Sequence, residues 1–247
     1  GSILLSKLEH LYEEKFSTKN DSLLKYFFYD WRLSIEDITL ELMKLIDNKP
    51  TIFICQSNGG LILLHLKNLL QDKLKIKAAF FVSPPFYGSF ESFRLMLEDF
   101  FISKNLKLFS KQEVQSFTIS WELLPYQKQA EFLDIDFWLK LKNFELNKNF
   151  KEKLILENLI KRSYTFQQTL KPESLSKTDF PVYIYGSNYY KCLNKLLIKN
   201  GKFDFRSTHN DWKIGDNHNS LDDFRKILTT ETLDENYIDD KGFIFIN

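Results

Sequence analysis

Cysteine is close to missing. The 247 residues hold two thiols, Cys55 and Cys192, and neither has a Cys-x-x-Cys partner. That excludes a disulfide framework, and with only four histidines there is no His/Cys cluster at metal-ligand spacing. Arginine is equally scarce: five of the 34 Lys and Arg are arginines, and 33 Asp and Glu nearly cancel them, leaving a net charge of +1. A nucleic-acid grip needs a local excess of cations and favours arginine for planar phosphate and base contacts, so that class has no support. Long apolar runs are absent too. Residues 52–55 and 78–82 are strand-length, far short of the roughly 20 residues that span a bilayer. No Pro-, Gly- or Ser-rich linker and no internal repeat divides the chain. The initiating methionine is also missing. Gly1-Ser2 reads as a vector remnant, so a natural N-terminal segment is expected to precede it, and the lack of a signal peptide does not fix the compartment.

What is present is core-forming material. Hydrophobic residues make up 43% of the chain and charged residues 27%, enough for one sizeable folded domain. The 24 phenylalanines, together with many Lys, Asn and Ile, read as AT-rich coding bias. Residues 3–16 have the spacing of an amphipathic helix, and residues 23–29 that of a buried strand. Residues 34–46 read as a helix, with Ser34 three residues before Asp37 in an N-terminal capping pattern. Strands follow at 52–55 and 78–82, with a helix between them that opens at Gly59-Gly60 and runs to Leu70. From 86 to 179 the pattern is helical stretches and loops without convincing strands. Residues 181–186 return to a strand, 203–205 suggest another, 220–228 read as a late helix and 242–246 as a short final strand. Strands alternating with helices predict an α/β fold: a three-layer sandwich on a mostly parallel sheet. Its core is expected from residues 1–85 and 180–247, with 86–179 inserted as a helical cap or lid.

The segment that carries chemistry is Thr51-Ile52-Phe53-Ile54-Cys55-Gln56-Ser57-Asn58-Gly59-Gly60-Leu61-Ile62. An apolar strand runs into a turn with serine at its tip, then two glycines, then an apolar helix. This is the context of a nucleophile elbow, in which a strained backbone lifts the hydroxyl above the sheet. Residues two before and two after the serine must be small. Gly59 meets that need, and Cys55 stands where a glycine is usual. The Asn58 N–H is one oxyanion donor, helped by the positive end of the helix that follows.

A serine nucleophile needs a base. His10 belongs to the first helix. His65 is two helical turns beyond Ser57 and points elsewhere. His209 and His218 both follow the strand at 181–186, where the chain order Ser, acid, His places the base. His218, in a polar loop just before a helix, is the better placed. The acid is expected after that same strand, but Asn188 occupies the place. Asp204, Asp211 and Asp216 lie downstream, and Asp216 is only two residues from His218, so Asp211 competes with it. No cofactor and no metal are called for. Phe93, Phe100, Phe101, Phe132, Phe137 and Trp138 would line an acyl channel or simply form core.

Several blocks in order carry a family resemblance. They are Tyr29-Asp30-Trp31-Arg32-Leu33-Ser34, the segment Cys55 to Leu61, Ser83-Pro84-Pro85-Phe86-Tyr87-Gly88-Ser89, the stretch Ser116 to Pro125 ending in Leu-Leu-Pro, Tyr183-Ile184-Tyr185-Gly186, and Gly215-Asp216. Together they resemble the lecithin:cholesterol acyltransferase-like lipases and acyltransferases, a branch of the α/β-hydrolases. The resemblance implies a capped hydrolase fold, a Ser/Asp/His triad, and acyl-ester or lipid substrates. By position it makes Ser57 the nucleophile and Asp216 the acid. The competing expectation is a catalytically degenerate member of that fold that binds a lipid or a protein, or one that needs a partner chain to supply missing elements.

Overall fold

The structure is a computed structural model that describes residues 10, 25–47, 49–141, 144, 150–187, 190–193, 198–199, 202–203, 212–215 and 243–244. Its first helix forms where the capping pattern predicts. Ser34 is extended, and its hydroxyl accepts from the Asp37 N–H at 3.0 Å and donates to the Asp37 carboxylate at 2.5 Å. This satisfies a donor that the first helical turn leaves open. Helix α1 then runs Ile35–Met43 and buries Ile35 and Ile38. It stops short of residue 46, and Leu45 is exposed.

The apolar run after Pro50 becomes strand β1, Thr51–Gln56, and helix α2, Asn58–Leu70, carries the chain over to strand β2, Ile76–Val82. The two strands are parallel, with Ile54 opposite Phe80. Strand β5, Val182–Ser187, joins on the far side of β2, also parallel, with Phe80 opposite Tyr183. Strand β10, Phe243–Ile244, closes the sheet antiparallel to β5, giving the order β1-β2-β5-β10. The protein is therefore α/β, with a small, mostly parallel sheet and helices. Side chains alternate across the strands. Cys55, Ala79, Phe81 and Ile184 enter a core shared with α1 and α2, while Ile52 and Ile54 on the opposite face are exposed.

Between β2 and β5 lie α3 (Phe90–Leu97), β3 (Phe100–Ser103), β4 (Leu106–Phe109), α4 (Lys111–Ser116), α5 (Thr118–Glu122), α6 (Ile135–Lys140) and the long α7 (Phe150–Leu170). A second core forms here around Phe90, Phe93, Trp121, Phe132 and Trp138. Its buried indoles are satisfied: Trp121 donates to the Gln115 carbonyl at 2.7 Å and Trp138 to the Phe132 carbonyl at 2.9 Å. Helix α7 serves both cores, giving Leu156 and Ile160 to the second and Phe166 and Leu170 to the first.

Two expectations are corrected. The insertion does contain strands, since β3 and β4 pair as an antiparallel hairpin with Phe100 opposite Phe109. The strand predicted over 23–29 is not seen among its described residues: 25–30 are irregular. Phe27 and Tyr29 stack on each other and pack against the core, while Tyr26 and Phe28 face outward. The segment alternates as a strand would, but no strand pairs with it among the described residues. The helices expected at 3–16 and 220–228 lie outside the described residues, apart from His10, which is exposed. Of the strand suggested at 203–205, the pair β7 (Ile198–Lys199) and β8 (Lys202–Phe203) reaches its first residue. Strand β6, Tyr190–Leu193, pairs antiparallel with β9, Trp212–Gly215.

Candidate functional site

Ser57 sits between β1 and α2 with φ 50° and ψ −123°, a conformation that L-residues rarely adopt. Two backbone bonds hold it there. Its N–H donates to the Val82 carbonyl at 2.8 Å, and its own carbonyl accepts from the Gly60 N–H at 3.0 Å. A serine at the position before a helix normally turns its hydroxyl back to cap the first turn. Ser57 makes no such bond, so its hydroxyl is not used by the helix it precedes. Backbone strain alone does not single out a site: Gln71, in the ordinary turn after α2, has φ 47° and ψ −127°. What separates Ser57 is its place, at the carboxyl end of a parallel strand and the amino end of a helix, where ligands of open α/β sheets bind. Asn58 is the first residue of α2, so its N–H has no partner within the helix and points into the region where the positive end of the helix lies.

The turn is packed tightly, and the tight residue is not the one the motif suggests. A Cβ on Gly59 would lie 3.7 Å from the Cys55 Cβ, an ordinary contact. A Cβ on Gly60 would lie 2.6 Å from the Pro84 Cβ and 3.1 Å from Phe81. Gly60 is thus the residue that lets helix, strand and neighbouring loop meet. Cys55 is buried and its thiol is pushed up to about 12 by desolvation, so it is a packing group and not a second nucleophile. Ser83 follows β2 as Ser57 follows β1. It too has a positive φ, of 50°, and its N–H donates to the Tyr185 carbonyl at 2.8 Å. Nothing in the residue pattern marks this second strained serine at the same end of the sheet.

Five of the six blocks that carry the family resemblance are brought together, and the sixth, Gly215-Asp216, ends outside the described residues. Gly60, three residues after Ser57, lies against Pro84. Gly88, at φ +76°, leaves no room for a Cβ beside the backbone of Leu124, and Ser89 donates to the Leu123 carbonyl at 2.7 Å. Glu122, in the same stretch, accepts from the Ile35 N–H at 2.7 Å and so caps α1 from across the fold. Trp31 stands edge-on to Phe117 with ring centres 5.5 Å apart. Asp30 and Arg32 are committed to each other, with Nε to Oδ1 at 2.8 Å, and this pairing holds the Asp30 carboxyl down at about 2. These five blocks form one packed chain of contacts around the Ser57 turn.

Glu122 is the notable residue that sequence reasoning missed. Burial drives its carboxyl up to about 7, against the pull of the Ile35 N–H and Arg162 and with Asp37 and Glu36 adding to the rise. Its one signal is a glutamate inside the apolar stretch Ile119-Ser120-Trp121-Glu122-Leu123-Leu124.

His65 is buried on α2, edge-on to Phe166 at 5.1 Å, and desolvation lowers its pKa. It lies about 12 Å along the helix axis from Ser57 and belongs to the core. His218, His209, Asp216, Asp211, Asp204 and Asn188 lie outside the described residues; β9 ends one residue before Asp216. Of the suggested acyl-channel residues, Phe93, Phe132 and Trp138 are fully buried in the second core, and Phe101 is exposed on the hairpin. No protein-family model matches the chain, and no curated protein matches it.

Proposed function

We propose that the chain is a serine hydrolase or acyltransferase acting on an ester or lipid acyl substrate, built on an α/β-hydrolase-like fold with residues 86–179 as its cap. The observation that carries this reading is the strained Ser57, with a hydroxyl free of the capping role its position would normally give it. The convergence of the family-like blocks around the turn supports it.

In this reading the Ser57 Oγ attacks the ester carbonyl carbon while His218 takes its proton. A carboxylate, Asp216 or Asp211, orients the imidazole, and the Asn58 N–H holds the oxyanion. Collapse of that intermediate breaks the bond to the alcohol, which leaves with the proton from His218. The acyl group stays on Ser57 until water or an acceptor hydroxyl attacks with His218 again as base. Tyr29 and Cys55 do not compete as nucleophiles, since burial raises the pKa of both the Tyr29 hydroxyl and the Cys55 thiol.

Labelling with a fluorophosphonate tests this. The parent protein should label, Ser57→Ala should not, and His218→Ala should react slower by about three orders of magnitude or more. A folded protein that takes no label removes the enzyme reading and leaves the fold as a binding module.

A further inference from the structure

The β3–β4 hairpin is anchored at its root and bare elsewhere. At the root, Phe109 packs edge-on against Trp31 and Phe117, at 5.6 Å and 5.2 Å. Beside it Asp99 accepts from the Lys111 N–H at 3.0 Å and from Lys107 Nζ at 3.4 Å. Beyond the root every residue from 101 to 108 is exposed. Four of those eight are large and apolar: Phe101 at 50%, Ile102 at 62%, Leu106 at 57% and Leu108 at 42% exposure. From 100 to 109 the ribbon carries two lysines, Lys104 and Lys107, and no acid.

We propose that this hairpin is a membrane-contact element that enters the headgroup region of an anionic phospholipid surface. The geometry favours that occupant over a protein partner. The register is irregular around Phe101, which pairs with Lys107; strand residues next to one another point to opposite faces, so Phe101 and Lys107 share one side of a thin ribbon while Leu106 and Leu108 take the other. A partner docked on one face would leave the other in water, whereas immersion in a fluid interface buries both. The charge agrees at the turn, because a lysine such as Lys104 on an apolar element keeps its stem in the apolar layer and its ammonium group among anionic headgroups, while Lys107 is paired with Asp99. A patch this apolar is otherwise a liability on a surface. Among the described residues no helix is long and apolar enough to cross a membrane. The proposal does not depend on the chemistry assigned to Ser57.

Sedimentation with vesicles tests it on the full chain without a turnover readout. The protein should pellet with phosphatidylcholine vesicles that contain phosphatidylglycerol. Ile102→Glu combined with Leu106→Glu should weaken partitioning by about tenfold or more. Lys104→Glu, at an exposed turn position, should weaken it about fivefold on the anionic vesicles and leave binding to phosphatidylcholine alone unchanged. Circular dichroism and thermal melts verify that the variants fold, and the lysine variant decides if the apolar pair does not. Three results overturn the proposal. The parent protein stays in the supernatant, the variants pellet undiminished, or equilibrium sedimentation shows a parent dimer that the apolar substitutions make monomeric, which assigns the ribbon to a second copy.

Discussion

Gly59 and Gly60 are adjacent and chemically identical, yet the structure gives them opposite sensitivities. A helical glycine costs about 0.5–1 kcal/mol relative to alanine, so replacing one usually stabilises. At position 59 the new methyl meets only the Cys55 Cβ, at 3.7 Å, and Gly59→Ala should be neutral or stabilising by up to about 1 kcal/mol. At position 60 the methyl would sit 2.6 Å from the Pro84 Cβ, and neither α2 nor a proline ring can give way cheaply. Gly60→Ala should therefore lose about 1–3 kcal/mol. Urea denaturation of the two variants side by side checks the difference in sign. The motif alone points to the wrong glycine, because the limiting contact comes from Pro84, 24 residues later in the chain, and not from within the turn.

At the scale of elements, Glu122 joins α5 to the start of α1. Its folded pKa, about 7, lies above its ordinary carboxylate value, so the folded state favours the protonated form. Ionisation therefore costs stability. The cost is absent below the ordinary value, grows as pH rises through that window, and is complete above about 7, reaching on the order of 3 kcal/mol. Glu122→Gln keeps an oxygen for the Ile35 N–H and removes the charge. Its stability should be flat between about pH 5 and pH 8, where the parent protein weakens. Urea midpoints measured across that range decide it, and a parent curve that is equally flat would show the carboxyl is not displaced. Elements also differ in how far the sequence announces them. Helix α1 is readable because Ser34 and Asp37 cap it locally, and β1 because four apolar residues in a row, Ile52 to Cys55, follow Pro50-Thr51 and stop at Gln56, just before Ser57. The hairpin is not, because Lys104-Asn105 lacks the glycine or proline that marks a turn and Phe100-Phe101-Ile102 merges into Phe-rich helical surroundings. Residues 25–30 have the composition of a strand, but a strand is defined by its neighbour, which composition cannot supply. The Glu122 cap is equally hidden, since it joins residues 87 positions apart.

For the molecule as a whole, α7 is the tie. It contributes to both hydrophobic cores, so the two should melt together. Leu170, 1% exposed, belongs to the first core, while Trp121 and Trp138 belong to the second. Leu170→Ala should cost about 2–5 kcal/mol and shift the indole fluorescence transition as far as the circular dichroism transition. Two separate transitions would mean that α7 does not couple the cores.

The contact between Gly60 and Pro84 also constrains how this sequence can change over time. Alanine in place of Pro84 keeps the Cβ that blocks position 60, so that exchange opens no path. Only glycine at 84 removes the obstructing atom. Gly60→Ala alone should be harmful, but tolerated once Pro84→Gly is present, and the double-mutant cycle should show a favourable coupling. Among descendants of this chain, a side chain at position 60 should appear only where position 84 has become glycine, so that two distant codons are inherited as one choice.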